Sequence, residues 1–236
     1  MSAARALRAV VLVLAACAGP GAAQGPRSDS LFRQMRSCLA DPGQGLPCAV
    51  TDPGRGFVLI KDDDPKKPFA WLLVPSTDVT GIEAPAVLSA PVAGFWEIGW
   101  SFAGQLLPAP PEGRGLAINS KPGRTQDLLH IHVSCIPLTL RAALAQADIG
   151  PDWRAEPFLT VDGQAFNVRT VRSLAPSPFL LLRDLPGAAE DMADQSLAVI
   201  GKAGGGFYLV TDSTERGVVA ETEALLDETC APEVDY

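Results

Sequence analysis

Apolar positions in this chain fall mostly into short runs broken by turn residues. Phe57-Val58-Leu59-Ile60 and Trp71-Leu72-Leu73-Val74 read as strands, separated by the turn-rich segment Asp62-Asp63-Asp64-Pro65-Lys66-Lys67-Pro68. Residues 92–107 differ: Phe95, Trp96, Ile98, Gly99, Trp100 and Phe102 are spaced as on a packed helix. That aromatic stripe reads as core, with Trp96 and Trp100 as candidates to border an apolar ligand. Leu116 to Asn119 is a third strand, and Ser120-Lys121-Pro122-Gly123-Arg124 a tight turn of type II character. Leu138 to Gln146 reads as a short helix. Asp162-Gly163 and Gly204-Gly205-Gly206 are hairpin signals, Phe179–Leu182 and Phe207–Val210 are strands, and 218–228 is a terminal helix. The fold class expected is α+β, an antiparallel sheet with packed helices. A faint likeness between "FVLIKDDDP" and "FLLLRDLPG" raises a second, sheet-containing half.

Both histidines of the chain stand in one apolar run, Leu128-Leu129-His130-Ile131-His132-Val133-Ser134-Cys135. Strand side chains alternate between faces, so His130, His132 and Ser134 share one face and Leu129, Ile131 and Val133 the other. At about 3.3 Å per residue the two rings stand roughly 6–7 Å apart, close enough to line one small site. The turn before this strand brings Asn119, Lys121 and Arg124 towards the edge of that face.

The ends of the chain and its charge restrict the setting. Arg5 and Arg8 precede an apolar run from Ala9 to Ala18, too short for a membrane span and suited to a signal h-region. Residues 1–23 therefore read as a signal peptide or membrane anchor. Gly21-Ala22-Ala23 offers a conventional cut, and Leu14-Ala15-Ala16-Cys17 a lipobox that would lipidate Cys17. Either reading places the domain, residues 30–236, outside the cytoplasm. Four further cysteines, Cys38, Cys48, Cys135 and Cys230, suit two disulfides in an exported chain. Three connectivities are open, with Cys38–Cys48 and Cys135–Cys230 favoured. A net charge of −8 without a basic stripe argues against a nucleic-acid partner. Four of the five lysines fall in two places, Lys61, Lys66 and Lys67 in one segment and Lys121 near the histidines, with Lys202 far downstream, a pattern that suits a bound anion or merely solvated turns.

The histidine run resembles the histidine triad motif, His-φ-His-φ-His-φ-φ with φ apolar, with Leu128 in place of the first histidine. Upstream, "LIKDDDPKKPFAWLLVP" is similar to that family's strand–Asp-x-x-Pro-x-x-Pro–strand nucleoside segment. Across most of the mature chain, "GFVLIKD", "GIEAP", "GLAINSKPGRTQ", "HIHVSC" and the four cysteines resemble the bacterial CDP-diacylglycerol pyrophosphatases, a divergent branch of the superfamily. The resemblance implies a histidine-triad-like antiparallel sheet, hydrolysis of membrane CDP-diacylglycerol to CMP and phosphatidate, and a location at the periplasmic face of the bacterial inner membrane, anchored or lipidated, or alternatively soluble in the periplasm. Small family members often pair, which leaves a homodimer open without the sequence deciding it.

By the same resemblance His130 is the nucleophile and the backbone carbonyl of His132 accepts its second ring proton. His132 donates to a phosphoryl oxygen, Asp62 binds the ribose hydroxyls, and Gln126 touches the phosphates. Lys61, Asn119, Lys121, Arg124 and Ser134 complete the expected substrate-binding set. No cofactor or metal is called for, since donors can replace it and the motif contains no carboxylate partner for a metal. Three other classes stay in view. One is a nucleotidyl transferase or soluble nucleotide hydrolase on the same fold, another a non-catalytic exported nucleotide- or lipid-binding module. The last is a metal-binding protein with two histidine ligands.

Overall fold

The computed structural model describes residues 29–161, 164–214 and 219–231. The expected leader at 1–23, with Cys17, and the Asp162-Gly163 turn lie outside these residues. In chain order the elements are α1 (Ser30–Ala40), β1 (Cys48–Asp52), β2 (Phe57–Lys61), β3 (Trp71–Pro75), α2 (Phe95–Leu106), β4 (Arg114–Ile118) and β5 (Ile131–Cys135). Then follow α3 (Leu138–Gln146), β6 (Arg154–Val161), β7 (Gln164–Val171), α4 (Pro178–Leu182), β8 (Gln195–Gly201) and β9 (Phe207–Ser213). The nine strands form one sheet in the order β1-β2-β3-β5-β4-β8-β9-β7-β6, every pairing antiparallel. The α+β class is as expected. The later strands continue the same sheet through the β4–β8 pairing and do not build a sheet of their own.

Both sheet faces are covered, which is why the central strands read as unbroken apolar runs. On one face Leu59, Leu73, Leu116, Leu129, Ile131, Val133, Leu197 and Val199 pack with Phe95, Trp96, Phe179 and Leu182 of α2 and α4. Gly99 lets α2 approach, since a Cβ there would stand 3.3 Å from Leu116 Cδ1. On the opposite face α1 covers Val58, Ile60 and Val74, while α3 covers Ala117, Ala198, Ile200 and Val210. Between these two helices the sheet is crossed by the C-terminal residues 219–231. Asp227 N donates to Cys135 O (2.8 Å), Ser120 N to Ala220 O (3.1 Å) and Phe69 N to Glu228 O (3.0 Å).

Four local readings are corrected. Phe179–Leu182 is helical: Pro178 opens the turn, and Phe179 and Leu182, three apart, are the buried pair. A short apolar run carries no periodicity able to separate the two cases. In the described part of 218–228 only Thr222–Leu225 forms a turn, of 3-10 type. Thr222 Oγ1 donates to Ile118 O and Glu223 N to Asn119 Oδ1, so these polar groups go to the end of β4 and not into a helix. The Ser120–Arg124 turn is helical in type, with Arg124 N donating to Ser120 O at 3.0 Å. Gly123 is not left-handed there. It clears the passing strap, since a Cβ would meet Ala220 O at 2.8 Å. Lastly, α2 lies on the face opposite the histidines, so Trp96 is core against Phe179 (ring centroids 5.1 Å) and does not border their site.

Candidate active site

β5 begins at Ile131, one residue after His130, and β3 and β4 flank it, with His132 opposite Leu72 and Ala117. Beyond the ends of these strands lies a cavity of about 340 Å³. Lys61, Asp62, Lys67, Asn119, Gln126, His130, His132, Glu221 and Glu223 are among its lining residues. The α1 N-terminus closes one side through Ser30, Leu31 and Gln34, and the strap closes another.

The two imidazoles meet edge to face, centroids 4.9 Å apart, closer than strand geometry alone implies. His130 is 6% exposed. Its Nδ1 lies 2.7 Å from Leu128 O. A carbonyl only accepts, so Nδ1 carries the proton and Nε2 the lone pair. The acceptor expected from the resemblance was the His132 carbonyl. The acceptor is instead Leu128 O, the carbonyl of the residue in the missing triad position. Burial, reinforced by the neighbouring His132, pushes the His130 pKa down to about 4. The ring is therefore neutral at pH 7.

His132 Nε2 lies 3.3 Å from Glu223 Oε2 without hydrogen-bond alignment, and its Nδ1 has no partner among the described residues. Glu223 is fixed in turn: Asn119 Nδ2 donates to its Oε2 (2.9 Å), and its own N–H is held by Asn119 Oδ1 (3.0 Å). Burial pushes the Glu223 carboxyl up, but His132, the Lys67 ammonium, the Asn119 hydrogen bond and His130 outweigh it and hold it below its ordinary value. Lys67 Nζ spans the strap acids, 2.9 Å from Glu228 and 3.5 Å from Glu223. Ligand atoms of His132, Glu223 and Glu228 cluster within 4.8 Å, the spread of a metal site. The Lys67 ammonium already meets the charge of those two carboxylates, which weighs against a cation there.

The other expected residues divide into two groups. Asp62 lines the cavity, with one oxygen accepting from Asp64 N (2.9 Å). Lys61 Nζ donates to Asp62 O and Lys67 O (2.8 and 2.9 Å) and lies over the Trp71 ring. Gln126 accepts at Oε1 from Ser30 Oγ and Leu31 N, so its Nε2 is the donor left for a ligand. Lys121, Arg124 and Ser134 are not brought to the cavity lining. Arg124 is 4% exposed and forms a two-bond pair with Glu83 (2.6 and 2.7 Å) plus a contact to Asp127 (3.2 Å). Gly81 makes room for it: a Cβ there would fall on its Nη1. Ser134 Oγ donates to Asp227 O (3.0 Å) beneath the strap.

Sequence reasoning missed Glu221, Glu223 and Glu228, and treated Lys67 only as part of a lysine cluster. No local motif marks them. The available signal was the cysteine pairing: Cys38–Cys48 and Cys135–Cys230 are both formed, and the second draws the residues before Cys230 across the histidine strand.

A profile of the CDP-diacylglycerol pyrophosphatase family matches residues 26–233. The chain belongs to the CDP-diacylglycerol pyrophosphatase family. It is 35% identical over 196 residues to a CDP-diacylglycerol pyrophosphatase of Yersinia pestis, covering 78% of this chain and 75% of that protein. Among solved structures it is similar to yeast Ap4A phosphorylase in complex with Ap4A, at 19% identity and a TM-score of 0.45, covering 77% of this chain and 65% of that one. The complex of the same enzyme with AMP gives 15% identity and a TM-score of 0.43, over 68% of this chain and 57% of the other. In this family member the two histidines, the Asp62 loop and the strap carboxylates form one lined cavity.

Proposed function

We propose that this chain hydrolyses the pyrophosphate of CDP-diacylglycerol to CMP and phosphatidate through a cytidylyl-histidine intermediate on His130. The observation that carries the reading is the His130 Nδ1–H to Leu128 O bond. In a ring kept neutral by burial, that bond leaves Nε2 as an in-place nucleophile. Its lone pair attacks the cytidylyl phosphorus, and the bond from that phosphorus to the bridging oxygen breaks. The electrons leave with phosphatidate. Water then attacks the same phosphorus, the P–N bond breaks and CMP departs.

His132 is the donor in this scheme. Its Nε2 faces the Glu223 carboxylate at 3.3 Å, and among the described residues its buried Nδ1, like Nε2, has no hydrogen-bond partner. A buried polar atom without a partner is uncommon, and a phosphoryl oxygen of the substrate would satisfy it. Glu223 holds the ring in place, as a carboxylate orients the histidine of a catalytic triad. Lys61 and Gln126 Nε2 supply further donors to the diphosphate, and Asp62 supplies an acceptor for ribose hydroxyls.

The exported, membrane-facing location belongs to the same proposal. Two disulfides support an oxidising compartment. No helix among the described residues is long and apolar enough to cross a membrane.

The test is hydrolysis of CDP-diacylglycerol in water enriched in oxygen-18. Attack on the cytidylyl phosphorus puts the label in CMP. Label in phosphatidate would reject the proposal, because it would place the nucleophile on the other phosphorus.

A further inference from the structure

A second cavity, of about 830 Å³, is larger than the histidine cavity and shares no lining residue with it. Its walls come from the end of β7 and the turn after it (Arg169 to Ser173), from Leu181 of α4, and from the β8–β9 hairpin (Lys202 and Gly204–Gly206). β8 runs antiparallel to β4, with Leu197 opposite Ile118 and Ile200 opposite Gly115. Lys202 therefore lies at the end of the sheet where β4 begins, and the histidine cavity lies beyond the end where β4 finishes.

The charge of this cavity is one-sided. Among the described residues Arg169, Arg172 and Lys202 line it and no carboxylate does, in a chain of net charge −8. The histidine cavity, by contrast, mixes Lys61 and Lys67 with Asp62, Asp63, Glu221 and Glu223. Arg169 is held in place before any ligand arrives. Its guanidinium carbon lies 5.5 Å from the Trp153 ring centroid, and that ring is pinned by Trp153 Nε1 donating to Leu181 O (3.0 Å). Its one carboxylate contact among the described residues is long, 3.8 Å to Asp184, whose side chain is 65% exposed. Arg169 Nε is buried without a hydrogen-bond partner among the described residues. Neither Arg172 nor Lys202 forms an ion pair among the described residues.

The hairpin adds backbone. Gly204, Gly205 and Gly206 have φ of +80°, +107° and +81°. A Cβ on Gly206 would stand 2.6 Å from Val171 O, whereas Gly204 and Gly205 have nothing within 4 Å. Gly205 N donates within the hairpin to Lys202 O (3.0 Å), and the absence of side chains lets an anion approach the main chain at Gly204 and Gly206. A stacked, partly desolvated arginine suits the paired oxygens of a phosphate group. We infer that this cavity is a second anion site, built for a phosphate monoester or diester and separate from the histidines.

That chemistry has two sources, a free phosphate compound or an acidic phospholipid headgroup, and two arms separate them. In the first, inorganic phosphate is titrated into the nitrogen-15-labelled full-length protein while the Gly204–Gly206 amides are followed. In the second, the protein is sedimented with vesicles of phosphatidylcholine alone or with phosphatidylglycerol added. Each arm compares the wild type with Arg172→Glu/Lys202→Glu and with Arg33→Glu/Arg55→Glu, an equal charge change at exposed positions elsewhere. The site predicts that the cavity variant binds about tenfold or more weakly, as loss of charge-assisted contacts does, while the control keeps wild-type affinity. Loss in the phosphate arm identifies a soluble ligand, and loss only in the vesicle arm a lipid headgroup. Equal weakening in both variants, or no binding by the wild type in either arm, would overturn the inference.

Discussion

Glu223 Oε2 stands 3.3 Å from His132 Nε2, although Glu223 lies on the C-terminal strap and His132 in the middle of the sheet. The contact supplies a carboxylate to a pair of histidines whose motif lacks its first member. Glu223→Gln keeps the shape and removes the charge. It is expected to lower kcat for CDP-diacylglycerol on the order of a hundredfold with little change in KM, the signature of a lost proton-transfer support. A change confined to KM would instead make Glu223 a binding group.

Neutral His130 gives a pH dependence with a definite sign. Its folded pKa, about 4, is below the ordinary 6.5. The unfolded chain therefore binds the proton first as pH falls, so the stabilisation is complete above pH 6.5 and is lost as pH drops towards 4. The difference corresponds to about 3 kcal/mol at 1.36 kcal/mol per unit. Denaturant unfolding of wild type and His130→Gln at pH 7 and pH 4 should show the wild type losing more stability on acidification. A parallel fall in both would contradict the assignment.

Arg124 is expected to matter for folding before chemistry. Its buried guanidinium is committed to Glu83 and Asp127. Arg124→Ala should cost about 3 kcal/mol in urea unfolding, as removal of one partner of a buried pair does. The folded fraction should keep its KM. A raised KM at unchanged stability would return Arg124 to the substrate.

Cys135–Cys230 fastens the strap that carries Glu223, and it closes a loop of 95 residues. Chain entropy alone assigns such a loop about 4–5 kcal/mol. Cys135→Ser/Cys230→Ser should therefore lower the unfolding midpoint. It should also reduce kcat below conditions of unfolding, because Glu223 loses its tether. Full activity in a destabilised variant would show that the strap stays docked without the bond.

The sequence made the centre of the sheet legible and the strap illegible, for physical reasons. β2, β3 and β4 are apolar runs bounded by turn residues, and α2 and α3 carry clear spacing. The Asp62 loop and the His130–His132 pair were visible because each is local. Phe179–Leu182 was not, since a five-residue apolar helix has no period to read. Arg124 looked like an anion clamp because the sequence cannot show that Glu83 lies against it. Glu223 was hidden by distance along the chain, and only the pairing of Cys135 with Cys230 pointed to it.

CMP release from CDP-diacylglycerol by folded His130→Ala tests most directly whether Nε2 of His130 is the attacking atom. The expected fall is on the order of a thousandfold or more, with His132→Ala slowed but active, since loss of a nucleophile leaves only binding and charge stabilisation. Turnover by His130→Ala close to that of the wild type would contradict it.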